Sequence, residues 1–64
     1  MSEYKIIRRD LGEFDIYVLK RGTESIKRNA SLYELLSYAK NNLGIKTLEV
    51  LGVERYIGGV SDES

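Results

Sequence analysis

Apolar residues recur at Leu32, Leu35, Leu36, Ala39 and Leu43, which is one stripe at the helical period. Ser31 stands just before it and Glu34 three residues later, the spacing of a capping box. Gly44 follows the stripe and suits the left-handed residue that closes a helix, and Ile45 sits where such a closure takes an apolar contact. The stretch from Ser31 to Gly44 therefore reads as one amphipathic helix. At about 13 residues it is too short to stand alone in water and must bury its stripe against something.

The rest of the chain follows the two-residue period of strands. Tyr4 to Arg9 carries β-branched Ile6 and Ile7 and reads as a first strand. Glu13 to Lys20 reads as a second, with Phe14, Ile16 and Val18 alternating with Asp15, Tyr17 and Leu19. Asp10-Leu11-Gly12 reads as a three-residue hairpin loop with Gly12 in the left-handed bulge position. That register opposes Arg9 to Glu13 and Ile6 to Ile16. It gathers Tyr4, Ile6, Phe14, Ile16 and Val18 on the face turned to the helix. The other face then holds Lys5, Ile7, Arg9, Glu13, Asp15, Tyr17 and Leu19. A two-residue loop at Leu11-Gly12 mixes the two faces and is disfavoured on that ground.

Arg21 to Ala30 reads as a polar connector with a turn at Gly22-Thr23-Glu24. Within it, Ser25 to Arg28 is open to two readings, a short edge strand with Ile26 under the helix or irregular chain. Lys46 to Ile57 reads as the third strand, bent or bulged at Gly52. A hairpin joining 46–50 to 53–57 is the alternative. It would oppose Glu49 to Glu54 and would rest on Leu-Gly, weak chemistry for a two-residue turn. Residues 58–64 read as an acidic, flexible tail. The expectation is a single α+β domain in the order ββαβ, one helix packed on one face of a three-stranded antiparallel or mixed sheet.

Composition narrows the function. The 64 residues include no Cys and no His. That excludes disulfides, thiolate or imidazole metal sites and Cys/His or Ser/His catalytic sets. Asp10, Glu13 and Asp15 match no calcium loop, and no Lys-Ser/Thr follows the glycines at 52, 58 and 59 to make a phosphate loop. The chain is therefore expected to be non-enzymatic and to carry no cofactor. No apolar run approaches the roughly 20 residues of a membrane span, and no signal-peptide core opens the chain, so a cytoplasmic setting is expected. A domain this small, without staples, depends on a tight core or on self-association.

Net charge is zero, with seven Lys/Arg against five Asp/Glu in residues 1–30 and three against five in residues 31–64. The open sheet face is left with Ile7, Tyr17 and Leu19, joined by Leu51 and Tyr56 from the third strand. An apolar cluster with tyrosines on an uncovered sheet points to a protein interface. Stacked faces or paired edges would each give a homodimer. The alternative is a small nucleic-acid-binding protein using Lys5, Arg8, Arg9, Lys20 and Arg21 of the hairpin beside its aromatics. Neutral charge weighs against it, as does the alternation that sends adjacent basic residues to opposite faces.

The hairpin YKIIRRDLGEFDIYVLK, the helix SLYELLSYAKNNLG and the strand KTLEVLGVERYI together resemble a family of small Bacillus prophage proteins labelled YopT. The resemblance implies a homodimer with one helix and three strands per monomer, of phage or prophage origin. It assigns no activity and no functional residues. A host or phage protein would then be the partner.

Overall fold

The structure, a computed structural model, describes residues 3–58. Its elements run β1 (Tyr4–Asp10), β2 (Asp15–Arg21), β3 (Glu24–Asn29), α1 (Leu32–Asn42), β4 (Thr47–Val50) and β5 (Val53–Tyr56). They form one mixed five-stranded sheet in the order β3-β2-β1-β4-β5. β1 and β4 are parallel, and every other neighbouring pair is antiparallel. The domain is α+β, as expected, but the three-stranded ββαβ arrangement does not form, and the three strands per monomer implied by the prophage-family resemblance do not either.

Two turns make the difference. Gly22, at φ 65°, reverses the chain between Arg21 and Glu24, so the polar connector becomes edge strand β3. Its register shifts between Leu19 and Lys20, a bulge at Ile26 that lets this residue pack against the core. Leu51 and Gly52 both hold positive φ, 51° and 87°, the requirement of the two-residue hairpin turn whose twist matches its strands. Gly52 is therefore a turn and not a bulge, and the expected third strand is two. Glu49 does face Glu54. Both side chains are exposed, so solvent and salt screen the repulsion, and Lys5 is the neighbour of Glu49 in the parallel ladder.

The β1–β2 register also differs from expectation. Ile6 opposes Leu19, and Asp10 opposes Asp15. One step further, the Leu11 N–H donates to the Phe14 carbonyl at 2.9 Å, leaving Gly12-Glu13 as the turn. Gly12, at φ 99°, sits first in it, where a Gly-X turn needs positive φ. The Asp10 carboxylate accepts from the Gly12 N–H at 2.8 Å, an Asx turn that favours this loop over the three-residue one. The shift is odd in parity, so every β2 side chain exchanges faces. Leu19 enters the core at 0 % exposure, and Phe14 and Ile16 leave it.

The helix forms as its pattern requires. The Ser31 hydroxyl accepts from the Glu34 N–H at 3.4 Å. Asn29, rather than Glu34, completes the cap, its side chain accepting from the Ser31 N–H at 2.8 Å. Gly44 turns left-handed at φ 66°, and the Ile45 N–H donates back to the Ala39 carbonyl at 3.0 Å. Leu35 and Ala39 are fully buried with Ile6, Leu19, Ile45, Leu48 and Val50. The helix backbone comes closest to β2 and β3, while its buried face shares one cluster with Ile6 of β1 and Leu48 and Val50 of β4. After β5 the Gly58 N–H donates to the Lys46 carbonyl at 3.0 Å; Gly58 is the first residue of the stretch read as a tail. Residues 59–64 lie outside the described residues. Among the described residues, no helix is long and apolar enough to cross a membrane.

Candidate functional site

One helix on one side of a five-stranded sheet leaves two apolar surfaces, one beside the helix and one on the opposite face. The first is a groove beside the helix. Leu32 and Leu36 of α1 form one wall, and Val50, Leu51, Val53, Arg55 and Ile57 form the other and the floor, around about 400 Å³. Val53 and Arg55 oppose Val50 and Leu48 across the hairpin and so share their side of the sheet. A smaller hollow of about 200 Å³ continues past Leu36 and Ile57 to Tyr33, Ser37 and Lys40. Among the described residues, the only charged ones lining either space are the cations Arg55 and Lys40.

Leu51 carries a second signature. It is the one described non-glycine residue with positive φ, a conformation that costs an ordinary side chain about 1–2 kcal/mol. Asn or Gly would hold the same turn more easily. Strained residues that persist tend to mark sites of use, and this one presents its side chain to the groove. Leu51→Asn should therefore raise the melting temperature by several degrees, corresponding to about 1 kcal/mol, as read by thermal denaturation. An unchanged or lowered melting temperature would show that the turn is not strained.

The second surface is a strip on the opposite face. Past Ile6, β1 pairs only with β2, because β4 pairs no further than Ile6 and β3 no further than Tyr17. The end of the β1–β2 hairpin is thus a free two-stranded ribbon. On its helix-facing side lie Arg8, Tyr17, Asp10 and Asp15, with Arg8 Nη1 3.9 Å from Asp15 Oδ2. On its other side lie Ile7, Leu11, Phe14, Ile16 and Val18, with Arg9 among them. Where α1 covers the sheet, apolar side chains face the helix. Along the free ribbon they face away from it. Val18 is only 2 % exposed yet stands apart from the helix-side core. Its cross-strand neighbours are Ile7 and Arg28. Leu11 and Phe14 remain 51 % and 57 % exposed.

The residues expected at the interface are dispersed by this arrangement. Ile7 is on the free face, Leu51 lines the groove, and Tyr56 is exposed opposite Thr47 on β4. Leu19 is in the centre of the core and Tyr17 packs at its margin, so neither is on the free face. Leu11, Phe14, Ile16, Val18, Leu32, Leu36 and Val53 were not among the expected site residues. The Gly12-Glu13 turn was the signal that would have placed the first four.

The five hairpin cations divide as well. Lys5, Arg9 and Lys20 share the free face, with Lys5 directly opposite Lys20. Arg8 and Arg21 are on the helix side. Arg21 is bound to Glu3, with Nη2 2.8 Å from Oε2, and its guanidinium lies 5.8 Å from the Tyr4 ring centre. The hydrogen bond to Glu3 and that carboxylate's charge hold the Arg21 pKa above its ordinary value. Among the described residues no group of His, Cys, Asp and Glu is placed to hold a metal ion.

No family model, curated protein or solved structure matches the chain.

Proposed function

We propose that the chain is a small, non-enzymatic protein-interaction module of the cytoplasm, and that it forms a homodimer by stacking the free faces of its β1–β2 ribbons. The supporting observation is the reversal of sidedness along the hairpin. The ribbon exposes Leu11 and Phe14 beside Ile7 and Ile16 on the face that no element of the described chain covers. Contiguous exposed apolar side chains of this kind mark association surfaces. A two-fold pairing of like strips needs no second kind of surface.

Light scattering on the eluting peak tests this. The full chain at tens of micromolar should have twice the monomer mass. Leu11→Ser combined with Phe14→Ser should give the monomer mass with an unchanged circular dichroism spectrum, because both side chains are exposed and outside the core. A monomeric parent chain, or a double variant that stays dimeric, would overturn the reading. The nucleic-acid alternative has no comparable support. Its five cations do not converge, and no aromatic ring accompanies Lys5 and Lys20 at their end of the face except Tyr56, which lies on the Glu49 and Glu54 side.

A further inference from the structure

We infer that the groove between α1 and β5 is a second binding site, separate from the self-association strip, and that it receives an extended acidic-apolar peptide segment of another protein. Three observations meet there. β5 is the terminal strand of the sheet, so a segment can run alongside it, as in strand-and-groove recognition. The groove floor and helix wall are aliphatic, from Leu32, Leu36, Val50 and Val53, and enclose room for one or two side chains. Its charge is one-sided. Arg55 lines it and Lys40 lines its continuation, and among the described residues no carboxylate lines either. Arg55 makes no ion pair with any described residue.

The spacing sets the motif. Val53 and Arg55 are two residues apart on one face of β5, about 6.6 Å along the strand. An extended ligand matches them with an aliphatic residue over Val53 and an aspartate or glutamate two positions away at Arg55, since alternate side chains of a strand fall on one side. The aliphatic side chain leaves water between Leu32, Leu36 and Val50, while the carboxylate meets a planar guanidinium able to bind it through two donors. The strained Leu51 forms the end of the groove, so part of the folding stability is given up to shape it.

Random heptapeptides displayed on phage and panned against the immobilised full chain provide the test. Selected sequences should be enriched in an aliphatic residue two positions from Asp or Glu. Panning on Arg55→Glu should exchange the acidic preference for Lys or Arg and keep the aliphatic one. Val53→Asp should abolish enrichment. Both residues are exposed, so folding should be retained, which circular dichroism checks. The consensus peptide should bind the Arg55→Glu chain about tenfold more weakly, on the order of 1.4 kcal/mol. Absence of enrichment, or an acidic preference that survives Arg55→Glu, would overturn the assignment. Light scattering separates this site from the dimer contact. With the consensus peptide bound, the mass should stay that of the free dimer. A fall to monomer would show that the groove is the self-association surface and holds no separate partner.

Discussion

Leu19→Ala is expected to leave the chain largely unfolded at 25 °C, while Phe14→Ala leaves it folded. Leu19 is completely buried between β2 and the helix, in the same cluster as Ile6, Leu35 and Ala39. Truncating a buried leucine removes about 2–5 kcal/mol, part from lost transfer and part from the cavity left behind. A domain of this length with a single core seldom has more than about 3–5 kcal/mol in total. Phe14, at the turn, is 57 % exposed, and a surface substitution of that kind changes stability by about 0.5 kcal/mol or less. Urea denaturation of the two variants, at dilutions where self-association adds nothing, should separate them widely. The reverse order would mean that the hairpin pairs Ile6 with Ile16, turns Phe14 inward and sends Leu19 out.

Ala39→Leu is expected to cost nearly as much by the opposite route. Ala39 is fully buried on the face of α1 that lies against β2 and β3. Its carbonyl also accepts the hydrogen bond from Ile45 that closes the helix. Three further carbons at that point must push the helix off the sheet or force neighbours from their rotamers, at about 1–3 kcal/mol. For a chain of this size the melting temperature should fall by about 10 °C. Lys40→Leu, exposed and one residue along, adds a leucine of the same size to the same turn and should leave the melting temperature nearly unchanged. Equal melting temperatures for Ala39→Leu and the parent chain would show that helix and sheet are not in close contact.

The two substitutions differ in how far the sequence foretells them. Ala39 lies on the stripe with Leu35, and the helical period alone puts both inside. Leu19 does not announce itself. In isolation β2 is an alternating strand with two apolar sets, Phe14-Ile16-Val18 and Tyr17-Leu19, and both are able to form a core face. The choice depends on the loop. Placing Gly12 last in a three-residue loop selects the first set. Placing it first in a two-residue turn selects the second, and the Asp10 side chain capping the Gly12 N–H supports that turn. A one-residue change in loop length is a small local energy difference, but it decides the surroundings of every side chain on the strand.

The hairpin at Leu51-Gly52 was hidden for a related reason. Local rules disfavour Leu at positive φ and Glu49 facing Glu54. Both penalties are accepted because β4 gains the parallel ladder with β1 through Lys5 and Ile6, and Leu48 and Val50 reach the core. The sequence of β3 is ambiguous because its polar residues fit an edge strand as well as a loop. Pairing with β2 from Tyr17 to Arg21 settles it.

The chain by itself determined the helix, both of its ends and its buried face, because those depend on contacts within a few residues and on a period that only one conformation satisfies. It also determined that no thiol and no imidazole is present among the 64 residues, since that needs only an inventory of side chains. Tertiary structure alone decided the number of strands, the side of β2 that enters the core, and therefore the location of the free apolar strip and the groove. Those depend on pairings between distant residues, in which costs that local rules would reject are recovered by burial elsewhere.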